Sequence, residues 1–153
     1  MSFTDEMTLR DARDELRELV DDGCRCPCCT QFAKVYRRKI HASMARVLIA
    51  MYRAVPAGEW VYLPDVPQKS RDATGMAWWG LIEEEIELLR DDGGRAGWWR
   101  VTELGRRFVR YEIAVRKYAL VYDGRRLKLD GEAVTIVDCL GDKFDYRELM
   151  DGL

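Results

Sequence analysis

An α+β fold is predicted, in which a middle run of helices is buttressed by a short flap of β-structure and flanked by an amphipathic helix and a β-hairpin. Three observations predict it. Apolar residues recur at three- and four-residue steps over residues 9–20, 32–55 and 74–90, the period of a helix with one buried face. Short aromatic and β-branched runs at residues 59–63 and 97–101 interrupt that period and abut proline or glycine. Asp123-Gly124 separates two further strand-like runs, a strong hairpin signal.

The elements follow in order. Thr8 is placed to cap a first helix carrying Leu9, Ala12, Leu16, Leu19 and Val20 on one side and acids on the other, with Gly23 as its stop. Cys24-Arg25-Cys26-Pro27-Cys28-Cys29 then forms a tight elbow. Phe32, Tyr36, Ile40, Val47, Met51 and Val55 predict a long second helix that ends at Pro56-Ala57-Gly58. Residues 59–63 predict an edge strand running into Pro64 and Pro67. Trp79, Ile82, Ile86 and Leu89 place a third helix over residues 74–90, and Asp91-Asp92-Gly93-Gly94 turns the chain into a strand at 97–101. Thr102 opens a closing helix whose core side is Leu104, Phe108, Tyr111 and Val115. Residues 117–122 and 126–129 form the hairpin, Asp130-Gly131 permits another tight turn before a run at 133–137, and Asp145 caps a last helix through Met150.

With no internal repeat, low-complexity tract or long linker, the 153 residues read as a single domain. Residues 1–30 hold the first helix and the cysteine elbow, 31–116 the central helices and flap, and 117–153 the hairpin and a C-terminal extension. No apolar run approaches the roughly 18 residues of a membrane span, and the N-terminus is acidic, so a cytoplasmic protein with no membrane partner is expected. The net charge of −2 excludes nonspecific nucleic-acid binding driven by bulk electrostatics alone. The charge is nevertheless blocky. Residues 1–22 carry eight acids against three arginines, while Lys34, Arg37, Arg38, Lys39, Arg46 and Arg53 occupy residues 31–53 with no acid among them. Such blocks either pair across the fold or form a partner-binding face.

The run Leu88-Leu89-Arg90, then Gly97-Trp98-Trp99-Arg100-Val101-Thr102-Glu103-Leu104-Gly105-Arg106-Arg107-Phe108, resembles the recognition-helix, wing and closing-helix segment of MarR- and PadR-like winged-helix proteins. The whole chain also resembles small proteins of actinobacterial phages, through its Cys-Pro elbow followed by Tyr36-Arg37-Arg38 and its Phe144-Asp145-Tyr146 tail. The first resemblance implies a winged helix-turn-helix, with the third helix in the major groove of double-stranded DNA and the wing along the phosphates. The outward positions of that helix are Glu83, Glu84 and Glu87, a face that repels a polyanion. Phosphate contacts therefore fall to Lys34, Arg37 and Arg38 on the second helix, to Arg95 and Arg100 at the wing, and to Arg106 and Arg107 on the closing helix. Lys69, Arg71 and Thr74 stand near the groove.

Four cysteines within six residues, in a reducing compartment, point to metal or redox chemistry rather than to a disulfide framework. Cys26 and Cys29 have the Cys-x-x-Cys spacing that lets two thiolates bite one zinc ion, and Cys24 or Cys28 can add a third ligand. Cys24, Cys26, Cys29 and His41 form the leading zinc set, with Cys139 as the other candidate for the fourth place. Redox catalysis and plain reduced cysteines are the alternatives. No glycine-rich phosphate loop or nucleophile with a nearby base is present in the sequence, so a non-enzymatic protein is expected. The leading expectation is a winged-helix DNA-binding regulator with a structural zinc site. The alternative is an interaction module that grips a host or self partner through its acidic third helix and exposed tryptophans, and a homodimer through the first helix is a further expectation.

Overall fold

In the computed structural model, which describes residues 3–87 and 97–151, contacts gather the chain into two compact units. The first is Met1–Arg38 with Leu120–Lys128, and the second is Lys39–Ala119 with Leu129–Leu153. No linker composition marks the division, because the chain crosses it inside strands. The crossings fall within β3 (Tyr36–Lys39), β7 (Val115–Tyr122) and β8 (Arg125–Val134), which form a three-stranded sheet of order β3–β7–β8.

In the first unit, α1 (Leu9–Leu19) begins where expected, with the Thr8 hydroxyl accepting the Asp11 N–H at 3.1 Å. Its charged side faces solvent, except that Glu15 is buried. Gly23, at φ +97°, ends the segment after the helix, and the Phe32 ring packs so tightly over it that an added Cβ would meet the ring at 2.5 Å. The cysteine elbow is a small antiparallel hairpin of β1 (Cys24–Arg25) and β2 (Phe32–Ala33), in register Cys24 to Ala33 and Arg25 to Phe32.

The expected second helix over 32–55 is therefore half right. Residues 42–54 form α2 (Ala42–Ala54), but residues 32–39 are extended, and Phe32 and Tyr36 are exposed instead of core. Their apolar spacing fits a helix, yet backbone bonds to other segments satisfy this one: the Val35 N–H donates to the carbonyl of Val20 at the end of α1, and the Ile40 N–H to that of Lys117 on β7.

In the second unit, α2 is the hub. Ala42, Met44, Ala45, Val47, Leu48, Ile49 and Met51 are all buried, and the helix packs on α3 (Glu103–Val109), α4 (Ile136–Leu140) and α5 (Tyr146–Asp151). The flap is a second three-stranded antiparallel sheet of order β4–β6–β5, with β4 (Val61–Tyr62), β5 (Ile82–Glu84) and β6 (Trp98–Val101). Its register pairs Val61 with Trp99 and Tyr62 with Trp98 on one side, and Ile82 with Val101 and Glu83 with Arg100 on the other.

The expected third helix is the main correction. Ala73–Trp79 is a 3₁₀ helix that stops at Gly80 (φ 74°), and Ile82–Glu84 is strand β5. Gly80 supplies the left-handed residue that ends a helical turn, and the ladder with β6 then captures the following backbone. Trp79 and Ile82 are core, as their spacing implies, whereas Ile86 is 65% exposed. Leu89 and the expected turn at residues 91–94 lie outside the described residues.

The closing helix starts at Thr102 as expected but ends at Arg110, so that Phe108 is buried while Leu104 and Tyr111 are exposed and Val115 opens β7. Asp123 and Gly124, at φ 52° and 74°, make the hairpin turn with both central residues left-handed. The second turn at Asp130-Gly131 is absent. Gly131 keeps a positive φ inside β8, under the Tyr118 ring, and the strand continues to Val134. Of the run at 133–137, Ala133 and Val134 end β8, and α4 begins at Ile136, where Thr135 and Asp138 form a reciprocal capping box. The Asp145 carboxylate accepts the Glu148 N–H at 3.0 Å and caps α5 as expected.

Candidate functional site

The sequence-derived cations separate into the two units. Lys34, Arg37 and Arg38 belong to the first, on the segment running from β2 into β3, where Arg37 and Arg38 are exposed. They are consecutive on a strand and so project to opposite sides of it, not along one helix face. Tyr36 sits among them, with the Lys34 ammonium 5.5 Å and the Arg38 guanidinium 4.9 Å from its ring centroid. The tip of the β7–β8 hairpin adds Arg125, Arg126 and Lys128 to this unit, all exposed on β8 with Leu127, and Tyr122 at the end of β7 is exposed beside the turn. Sequence reasoning missed these three. Their signal was three cations in four residues beside the Asp123-Gly124 turn, a segment read only for its hairpin.

The second unit holds Lys69, Arg71, Thr74, Arg100, Arg106 and Arg107. Several are engaged in holding the fold. Lys69 Nζ donates to the Pro64 carbonyl at 2.5 Å, and Arg100 pairs with Glu83 across the β5–β6 ladder while lying 4.5 Å over the Trp60 ring. Arg106 is half-buried, donates to the Val101 carbonyl at 3.1 Å and fills the space above Gly58. Arg71, Thr74 and Arg107 are exposed, and Arg95 lies outside the described residues. The acidic face assigned to a third helix is not formed as such, since Glu83 and Glu84 are half-buried on β5. Trp79 and Trp99 are buried, while Trp78 and Trp98 are half-buried, the latter packing at 5.3 Å on Tyr62.

At the elbow, the Cys26 N–H donates to the Gln31 carbonyl at 2.8 Å and the Thr30 N–H to the Cys26 carbonyl at 2.9 Å, closing a turn over Pro27, Cys28 and Cys29. Thr30 takes a left-handed φ of 64°, and the Arg25 guanidinium holds its carbonyl at 3.0 Å. The backbone N–H of Cys29, then that of Cys28, and the Cys29 side chain donate toward the Cys26 sulfur and hold its thiol below the ordinary range. Cys24 and Cys26 are half-buried, and Cys28 and Cys29 are exposed.

His41 is in the second unit at the N-cap of α2, where its Nε2 lies 2.9 Å from Asp72 Oδ2. Among the described residues no three metal-ligand side chains stand together, so the set of Cys24, Cys26, Cys29 and His41 is not assembled there. Cys139 is also in the second unit, where burial first and Asp138 second push its thiol up to about 12. No helix among the described residues is long and apolar enough to cross a membrane. Comparison with family models, with curated proteins and with solved structures returns no match for this chain.

Proposed function

We propose that this protein binds double-stranded DNA through the phosphate backbone, using the strand-borne cations of its first unit rather than a groove-reading helix. One observation carries the reading: Lys34, Arg37, Arg38, Arg125, Arg126 and Lys128 come from two distant stretches of sequence into one compact unit that holds exposed Tyr36 and Tyr122. Flexible cations of this kind position a protein on phosphates, and aromatic side chains between them add contact without demanding a base sequence. A winged-helix lineage for the second unit is supported by its order of helix, strand, helical turn and two antiparallel strands, with the wing strand central in β4–β6–β5. Its reading helix is reduced to seven residues of 3₁₀ form, too short to lie along a major groove, so sequence readout is not ascribed to it.

The test is fluorescence anisotropy on labelled random duplex over a salt series. Binding should weaken steeply with salt, and charge reversal at Arg37, Arg38, Arg125 and Lys128 together should abolish it while the far-UV spectrum stays native. No binding of wild-type protein at low ionic strength ends the reading, and tighter binding of single strands than of duplex would reassign the surface to unpaired nucleic acid.

A further inference from the structure

We propose that a cavity of the second unit, walled by α2, β4, β6 and α5, binds a nucleoside monophosphate, with the phosphate on Arg46 and Arg53 and the base against Trp98 and Tyr62. The cavity lies wholly inside that unit, and its volume of about 550 Å³ suits a ligand of this size. Its floor is apolar, with Ile49 and Val61 buried. The two arginines stand seven residues apart on α2, so their side chains leave one face of the helix about 10 Å apart along its axis. Arg46 is half-buried, with its guanidinium stacked 4.6 Å from the Phe144 ring centroid, whereas Arg53 is exposed. A planar fork fixed by stacking is suited to phosphate and loses little freedom when it binds one.

Two residues of this wall each bury a polar atom that has no hydrogen-bonding partner: Nε of Arg46, a donor, and Oε1 of Gln68, an acceptor. Such atoms cost stability, and their presence in one cavity calls for a reason other than folding. Asp65, exposed on the same wall, adds a second acceptor. The ligand must therefore carry an anionic group for the arginines together with N–H or O–H donors for Asp65 and Gln68. A bare anion meets the Asp65 carboxylate with like charge, and a wholly apolar molecule satisfies none of these groups. A nucleoside monophosphate answers all of them. Its phosphate oxygens accept from guanidinium groups, its sugar hydroxyls donate to Asp65, and an amino group on the base donates to Gln68. Its planar base stacks on an aromatic side chain, and Tyr62 and Trp98 supply a wall for it, both half-buried and packed with ring centroids 5.3 Å apart. The proposal is independent of the DNA reading, because the six cations of that surface all lie in the first unit.

The experiment titrates adenosine monophosphate into the full chain, followed by calorimetry and by tryptophan fluorescence. Saturation at one nucleotide per chain is expected, with adenosine and inorganic phosphate each binding at least about tenfold more weakly. Inosine monophosphate, which carries an oxygen in place of the amino group, should also bind more weakly. Arg46→Lys keeps the charge but loses the planar fork, and should weaken binding by about tenfold or more. Gln68→Leu separates a binding role from a structural one: it should raise the urea midpoint of the empty protein by removing an unpaired acceptor, yet lower its affinity for the nucleotide. Charge reversal at Arg37, Arg38, Arg125 and Lys128 should leave nucleotide binding intact, and its loss there would move the nucleotide to the first unit and overturn the proposal. No saturable binding by wild-type protein, equal affinity for adenosine, or unchanged affinity in Arg46→Lys would each overturn it as well.

Discussion

Gly105 packs directly on Leu81, so closely that a Cβ at position 105 would overlap the Leu81 carbonyl oxygen and come within 2.7 Å of Val101 Cγ1. The same carbonyl accepts the Thr102 N–H at 3.0 Å. The Thr102 hydroxyl donates to the Gly80 carbonyl at 2.5 Å and accepts from the Gly105 N–H at 3.0 Å. Thr102 and Gly105 thus clamp the start of α3 onto the segment between the 3₁₀ helix and β5, which gives the Thr-x-x-Gly spacing a local physical reason.

Gly105→Ala is expected to force α3 away from Leu81 and to cost about 1–3 kcal/mol, the range for overpacking a filled site. Thr102→Val, which removes the cap but keeps the shape, should cost about 1 kcal/mol. Urea denaturation midpoints measure both, and an unchanged midpoint for Gly105→Ala would show that the packing there yields freely.

Trp79 is 1% exposed and its indole N–H donates to the Arg116 carbonyl at 2.7 Å, tying the 3₁₀ helix to the start of β7. Trp79→Phe should lose about 1–3 kcal/mol by leaving that carbonyl unpaired and the site underfilled, and Trp79→Ala about 3–5 kcal/mol. Thermal melts followed by circular dichroism read the difference.

The thiols should differ in reactivity by position. Burial raises Cys139 from an ordinary 9.0 to about 12, so its thiolate is scarce at neutral pH, whereas N–H donation holds Cys26 below its ordinary value. Timed iodoacetamide labelling read by peptide mass spectrometry should modify Cys26 long before Cys139. Equal rates would contradict the placement of Cys139.

Cys139 also sets an alkaline limit. Below 9.0 the thiol is protonated in both folded and unfolded chains and adds no pH dependence; between 9.0 and about 12 only the unfolded chain releases the proton. Stability should therefore fall as pH rises through that window, by up to about 1.4 kcal/mol per pH unit. Cys139→Ala should flatten the slope in the same interval, as read from denaturation midpoints across pH.

Charge reversal of single cations offers a finer reading of the DNA surface. For every phosphate that a variant no longer neutralises, the slope of log K against log salt should become shallower by about 0.9. Arg38→Glu and Lys128→Glu are expected to behave in this way, while Lys69→Glu, whose ammonium bonds to Pro64, should leave the slope unchanged.

What the sequence determined by itself is what neighbouring residues decide among themselves. Thr8, Thr102 and Asp145 cap helices whose partners lie three residues on, Asp123-Gly124 makes a turn from two consecutive left-handed residues, and Ala42–Ala54 buries a face fixed by helical period. Such interactions close over a few residues, so their pattern is visible in a short window. The tertiary structure decided the segments whose apolar spacing suits helix and strand alike. Residues 32–41 became extended because their backbone bonds reach Val20 and Lys117, and Ile82–Glu84 became a strand because β6 offered a ladder across the flap. The candidate DNA surface belongs to the same class, since β3 and the hairpin tip are more than eighty residues apart in sequence and only folding puts Arg38 and Lys128 into one unit. The cysteine elbow lies between the two. Its Cys-x-x-Cys spacing was legible, but the direction of two N–H groups onto the Cys26 sulfur depends on strand pairing that draws Gln31 back against it.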